Sequence, residues 1–214
     1  MSALATRAFA RKKKVTKARA MEIIERLQAT TGDVEGLSEL YSYFKPTSPS
    51  KPKTDQQWVS KAIGKNDVRN ALNRLQVEDG QMIGCDGHRV HVCNTELPNG
   101  AYDNQFNLID DAYAGKFPDW KRVIPSNRPG KISLDAVVIK ERHTAIPGYA
   151  DGSVIKGHFL DLQLGETLIR LNGEYWNDAT CMFTGKAEVR YGTNNDSILI
   201  NEDGKRAVVM PIRP

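Results

Sequence analysis

Two Asp-Gly pairs, Asp79-Gly80 and Asp86-Gly87, punctuate a series of short apolar runs and limit what this stretch can become. Leu72, Leu75 and Val77 lead into the first pair, Met82 and Ile83 lie between the two, and Val90 and Val92 follow the second. Both positions of Asp-Gly tolerate the positive φ that a type I′ turn demands, so the dipeptide between apolar runs is a strong hairpin signal. The pattern predicts a three-stranded antiparallel meander with two-residue turns.

Upstream the composition changes. The segment Pro46-Thr47-Ser48-Pro49-Ser50-Lys51-Pro52-Lys53 holds three prolines in polar filler. Such a sequence supports neither a helix nor a central strand, and residues 46–54 read as a linker. Before it, Ala20, Ile23, Ile24 and Leu27 share one helical face, and Val34, Leu37, Leu40, Tyr41 and Phe44 repeat the pattern after Thr31-Gly32-Asp33. Residues 1–45 are expected to form a basic helical extension whose apolar stripes pack against a domain. Charge separates at the same place: residues 1–58 hold 11 Lys or Arg against 6 Asp or Glu, and the remainder holds 19 against 20. Arg11, Lys12, Lys13, Lys14, Lys17 and Arg19 could neutralise DNA phosphates without reading sequence; a solvated basic arm is the alternative. No run approaches the eighteen apolar residues of a membrane span, no apolar leader opens the chain, and the three cysteines lack a disulfide framework. These features place the protein in the cytoplasm, without a membrane partner.

Beyond the linker, Asp55 is expected to cap a short helix that turns Trp58, Val59, Ala62 and Ile63 inward. Leu160, Leu162 and Leu164 alternate as in a half-buried strand, Leu168 to Leu171 form another, and Tyr175, Ala179, Met182 and Phe183 mark one face of a helix. Val189 to Tyr191, Ile198 to Ile200 and Ala207 to Met210 read as closing strands separated by Gly, Asn and Asp. Helices followed by antiparallel strands predict an α+β fold with helices packed on one face of curved sheets.

The meander also carries Cys85, His88, His91 and Cys93. With a two-residue turn at Asp86-Gly87, the two cysteines lie about five residues apart on the ladder, roughly 16 Å, and the histidines face opposite ways. A shared metal does not fit. No Gly-rich phosphate loop, nucleophile elbow or His-Glu-x-x-His motif occurs, so the residues specify neither an enzyme nor a cofactor.

Asp67-Val68-Arg69-Asn70-Ala71-Leu72, followed by Cys85-Asp86-Gly87-His88-Arg89-Val90, resembles the middle domain of bacterial DNA polymerase III beta subunits, the sliding clamps. Gly115-Lys116-Phe117-Pro118-Asp119-Trp120-Lys121-Arg122-Val123-Ile124-Pro125 is similar to that family's connector into its last domain. Leu171-Asn172-Gly173-Glu174-Tyr175-Trp176-Asn177-Asp178-Ala179 resembles a helix start there, and Ala207-Val208-Val209-Met210-Pro211-Ile212-Arg213 its terminal strand. Four blocks in the family's order span residues 58–214.

The resemblance implies a non-enzymatic DNA-clamp-like protein with an abbreviated unit at 55–124 and a C-terminal unit at 125–214. The family's first domain is missing, and the stretch around Leu97-Pro98-Asn99-Gly100-Ala101-Tyr102-Asp103 reads as a shortened loop. Carried over by position, a client-peptide pocket uses Leu72, Gly87, His88, Arg89, Val90, Pro125, Val208, Met210, Pro211, Ile212 and Arg213, and Arg69 matches a cation near the DNA-facing surface. The implied partners are double-stranded DNA, DNA polymerase, other proteins with clamp-binding motifs, a clamp loader and further copies of the chain. The reduced length resembles versions from phage-infected or lysogenic bacteria. A non-encircling adaptor or decoy, attached through the basic arm and the pocket, is the alternative role.

Overall fold

The computed structural model describes residues 52–110, 115–124, 128–147 and 154–213. The basic extension at 1–45 and most of the linker lie outside the described residues, and residues 51–214 form one compact unit. After helix α1 (Asp55–Val59) come β1 (Leu75–Glu78), β2 (Gln81–Cys85), β3 (Arg89–Asn94), β4 (Gly100–Tyr102) and β5 (Leu108–Ile109). Then follow β6 (Gly130–Ser133), β7 (Val138–Pro147), β8 (Val154–Leu164), β9 (Thr167–Asn172), helix α2 (Gly173–Thr180), β10 (Glu188–Tyr191), β11 (Ile198–Glu202) and β12 (Lys205–Val209).

Nine strands join one antiparallel sheet in the order β5-β4-β1-β2-β3-β12-β11-β10-β6, and β7-β8-β9 form a second. The large sheet has a seam at β3 and β12, where Val90 faces Val208 and Cys93 faces Lys205. On either side of the seam stands a three-stranded meander that follows a helix: β1-β2-β3 after α1, and β10-β11-β12 after α2. The strands before residue 124 and those after it thus contribute halves of one continuous sheet.

Alternation along the strands gives the sheet two apolar faces. Met82, Cys93, Ile198, Ile200, Ala207 and Val209 join Trp58 of α1, Trp176 of α2 and the β8 leucines Leu160, Leu162 and Leu164 in the main core. Ile83, Cys85, Val90, Val92, Leu199 and Val208 belong to a second cluster, which includes Leu72 and Trp120 and has Phe117 and Ile124 packed against it. The antiparallel α+β arrangement, with helices on one face, is the one the sequence predicts. The expected inward residues of the first helix, Trp58, Val59, Ala62 and Ile63, are all buried. The cap is Thr54, whose side chain accepts from Gln57 N, and Asp55 occupies the first turn.

The two Asp-Gly pairs behave differently. Asp79 and Gly80 have φ of 53° and 70° and connect Glu78 to its partner Gln81, a two-residue turn as expected. At the second pair the register shifts: Cys85 faces Val90, Asp86 N donates to Arg89 O, and Gly87 and His88 occupy the tip. The cause is the Asp86 side chain, whose Oδ1 accepts the backbone N–H groups of both His88 and Arg89. Cys85 and Cys93 consequently lie three residues apart on the ladder, with Cys93 facing Met82, and they point into different clusters. The stretch read as a shortened loop contains β4, whose Ala101 and Tyr102 are buried beside β1.

Candidate client-binding groove

Past the seam, the chain leaves β12 at Val209 and continues as an extended segment. Met210 N donates to His88 O at 2.9 Å, and Ile212 N donates to Arg170 O of β9 at 2.8 Å. These two bonds pin Met210-Pro211-Ile212 between the tip of the β2–β3 hairpin and the three-stranded sheet. A depression of about 230 Å3 results, with His88, Met210, Pro211 and Ile212 on one side and Ile146, Ile155, Phe159, Asn172 and Tyr175 on the other. A second depression of about 300 Å3 shares Ile146 and Ile212 and adds Pro147, Asp161, Leu168, Arg170, Asn194 and Arg213. Together they form a groove whose first part is mainly apolar, suited to burying one or two aliphatic or aromatic side chains, and whose second part is rimmed by Asp161, Arg170, Asn194 and Arg213.

The helix wall depends on local chemistry. Asn172 caps α2, its Oδ1 accepting from Glu174 N and Tyr175 N, and this places the Tyr175 ring 6.1 Å from the His88 ring at an interplanar angle of 23°. Burial pushes the Tyr175 phenol above its usual range. Beneath it, the Arg89 guanidinium sits 4.4 Å from the ring centroid.

The sequence-derived set separates into groups. His88, Met210, Pro211 and Ile212 share the first depression, and Arg213 lines the adjoining one. Leu72, Val90 and Val208 do not line either depression: they are 4% exposed or less and point into the second-face cluster with Trp120. The parity of β3 and β12 explains this, because Val90 and Val208 oppose one another on the side away from the helices. Gly87 stands at the hairpin tip with φ of 90°, against the Arg69 guanidinium. Arg89 is 8% exposed and enclosed in ion pairs. Pro125 and the tail cations Arg11, Lys12, Lys13, Lys14, Lys17 and Arg19 lie outside the described residues. Arg69 pairs with Asp67 at 2.8 Å, and that guanidinium holds the Asp67 carboxyl down at about 2.

Sequence reasoning did not assign Ile146, Ile155, Phe159, Asn172 and Tyr175 to the groove. Tyr175 had a legible place on a helix face and Asn172 at its start, but β7 had none. Irregularities between Ile139 and Glu141 and between His143 and Ala145 break its period-two pattern.

A charged cluster adjoins the groove at Asp161, which lines the second depression. Glu141, His143 and Asp161 bring potential ligand atoms within 4.8 Å of one another. Arg170 already occupies the Asp161 carboxylate, donating Nε to Oδ1 at 2.6 Å and Nη2 to Oδ2 at 2.7 Å, and it holds that carboxyl below its ordinary range. A fixed cation bound to the central ligand opposes a metal ion there.

No protein-family model and no curated protein matches the chain. Solved structures do. The Helicobacter pylori beta clamp bound to a DNA ligase peptide matches with a TM-score of 0.53 and 12% identity, over 80% of this chain and 69% of that one. A Pseudomonas aeruginosa DNA polymerase sliding clamp matches with a TM-score of 0.51 and 17% identity, over 79% and 69%. The Thermotoga maritima DNA polymerase III beta subunit matches with a TM-score of 0.50 and 15% identity, over 81% and 69%. At these identities the likeness concerns architecture, and on it this chain has the fold of the bacterial DNA polymerase III beta sliding clamp.

Proposed function

We propose that this protein is a sliding-clamp-like accessory factor of DNA replication: an oligomeric docking platform that holds short apolar peptide segments of polymerase and other clients close to duplex DNA. The observation that carries the reading is the groove where His88, Tyr175, Met210 and Ile212 converge beside a chain end pinned by two backbone bonds. Support comes from the likeness to a clamp solved with a DNA ligase peptide. A Leu or Phe anchor buried in such a groove contributes about 1.5–3 kcal/mol, so two anchors contribute about 3–6 kcal/mol, which is weak binding with a Kd from millimolar to tens of micromolar. The tail cations Arg11, Lys12, Lys13, Lys14, Lys17 and Arg19 would supply a salt-dependent attraction to DNA phosphates. No step of this role makes or breaks a covalent bond.

The test is fluorescence anisotropy of a labelled hexapeptide with adjacent Leu and Phe anchors. Wild-type protein should bind it, and the double variant His88→Ala, Met210→Ala should bind at least tenfold more weakly. Equal binding by both would remove the groove from the account.

A second reading, a non-encircling adaptor, is favoured by one observation: Arg69, the cation of the proposed DNA-binding set among the described residues, is tied to Asp67. In that role the basic arm is the whole attachment, and deletion of residues 1–53 abolishes DNA binding. A truncated body that binds DNA as well as the full chain would exclude it.

A further inference from the structure

We propose that Arg89 is a positioning residue of the groove, setting the gap between His88 and Tyr175 without touching the client; the inference rests on the docking reading above. Arg89 opens β3 opposite Val209, so its side chain points to the helix side of the sheet. Each of its three nitrogens has a partner on a different element. Nε donates to Asp86 Oδ2 at 3.0 Å, Nη1 to Asp178 Oδ2 of α2 at 2.8 Å, and Nη2 to the Lys61 carbonyl at 2.6 Å. Lys61 Nζ closes the circuit on Asp178 Oδ1 at 2.7 Å.

The two groove walls hang on this circuit. Asp86 uses Oδ1 to hold the hairpin tip that presents His88, and Oδ2 to hold Arg89. Asp178 fixes the same guanidinium to the helix that presents Tyr175, whose ring lies 4.4 Å from it. Burial alone would raise the Asp178 carboxyl, but hydrogen bonds from Lys61 and Arg89 outweigh it and keep the group ionised. A largely buried ion network is weak evidence of added stability, and this one ties three elements together at fixed distances. Arg suits the task because its planar fork reaches three acceptors in fixed directions; Lys offers one nitrogen. Arg89 also lines neither depression, which leaves it without a route to a bound peptide.

The experiment combines two readouts on full-length Arg89→Lys and Asp178→Asn proteins, the second variant cutting the far anchor while leaving Arg89 in place. The chain has four histidines, so the ring protons of His88 can be resolved by NMR and their displacement by the Tyr175 ring followed without any ligand. Affinity for the labelled hexapeptide is measured in parallel, in wild-type and Tyr175→Ala backgrounds. The expected result is that both variants move the His88 resonance, leave buried His91 in place, and weaken the peptide about tenfold, with at most a twofold effect once Tyr175 is Ala. A His88 resonance that stays put while affinity falls tenfold in both backgrounds would overturn the proposal, because Arg89 would then act on the client directly. Wild-type protein with the His88 displacement but no peptide binding would overturn the docking reading, and the positioning role with it.

Discussion

The two faces of the nine-stranded sheet are both apolar, yet they are covered by different means. On one face α1, α2 and the three-stranded sheet enclose Trp58, which is fully buried and donates its indole N–H to the carbonyls of Asp178 and Ala179. On the other face the cover is the connector around Phe117, Trp120 and Ile124, whose Trp120 is 3% exposed but ringed by Glu78, Lys121 and Arg206. Regular elements with bonded caps seal the first; a 3₁₀ turn at Trp120–Val123 with a polar rim covers the second. The contrast teaches where rigidity is needed. The groove residues His88 and Tyr175 are anchored from the helix side, through Arg89 and Asp178.

The largest expected effect separates the faces directly. Trp58→Ala should cost about 3–5 kcal/mol in denaturant unfolding, because α2 and the sheet around the ring are held by regular hydrogen bonds and cannot collapse onto the hole. Trp120→Ala should cost about half as much, since the connector can relax onto the sheet. Equal losses would break the distinction.

A pH titration sharpens it. His91 lies on the helix face, stacked on Trp58 with ring centroids 4.5 Å apart; Nδ1 meets the Trp58 carbonyl, and the buried Nε2 has no hydrogen-bond partner among the described residues. Burial depresses its pKa from 6.5 to about 3, opposed by the bond to Trp58 O, with Arg89, Lys61 and Asp178 as the nearby charges. Between those values the unfolded chain binds the proton and the folded chain does not. Stability is therefore complete above pH 6.5 and falls on acidification toward pH 3, by at most about 1.4 kcal/mol per pH unit. Unfolding curves between pH 6.5 and 4.5 should show this slope in wild-type protein and a flatter one in His91→Phe. Parallel slopes would place His91 in a solvated site.

Smaller effects belong to the turns. Gly80→Ala meets no crowding beyond Thr95 O at 3.8 Å, so its cost is that of φ at 70°, about 1 kcal/mol. Gly204→Ala, at φ 76° in the matching turn of the other meander, should cost about the same plus the shift of the Asn94 amide 2.6 Å away. A neutral result at both would mean that turn backbone strain does not hold the seam.

Much of this was legible in the sequence. Leu160, Leu162 and Leu164 alternate as they are buried, and Asp79-Gly80 turns where the dipeptide demands it. Asp86-Gly87 failed by one residue because an Asp side chain can bond the backbone ahead of it and move the tip to Gly87-His88. The groove was legible on its His88 and Met210–Ile212 side, where short motifs carry the information. On its other side Asn172 and Tyr175 belong to a legible helix start, but Ile146 comes from β7, whose pairing with β8 is interrupted at Lys140 and Thr144, and no local pattern announces it. Val90 and Val208 show the converse limit: motif position put them in the pocket, while strand parity turns them to the opposite face.

The measurement closest to the central claim is molar mass by light scattering over a concentration series of the full chain, alone and with a short circular duplex. In the proposed role, a platform that encloses a duplex is built from several copies of the chain. The account predicts a closed oligomer of fixed mass that stays on circular DNA and leaves when the circle is cut. A monomer at every concentration, bound equally to circular and linear DNA, would contradict it.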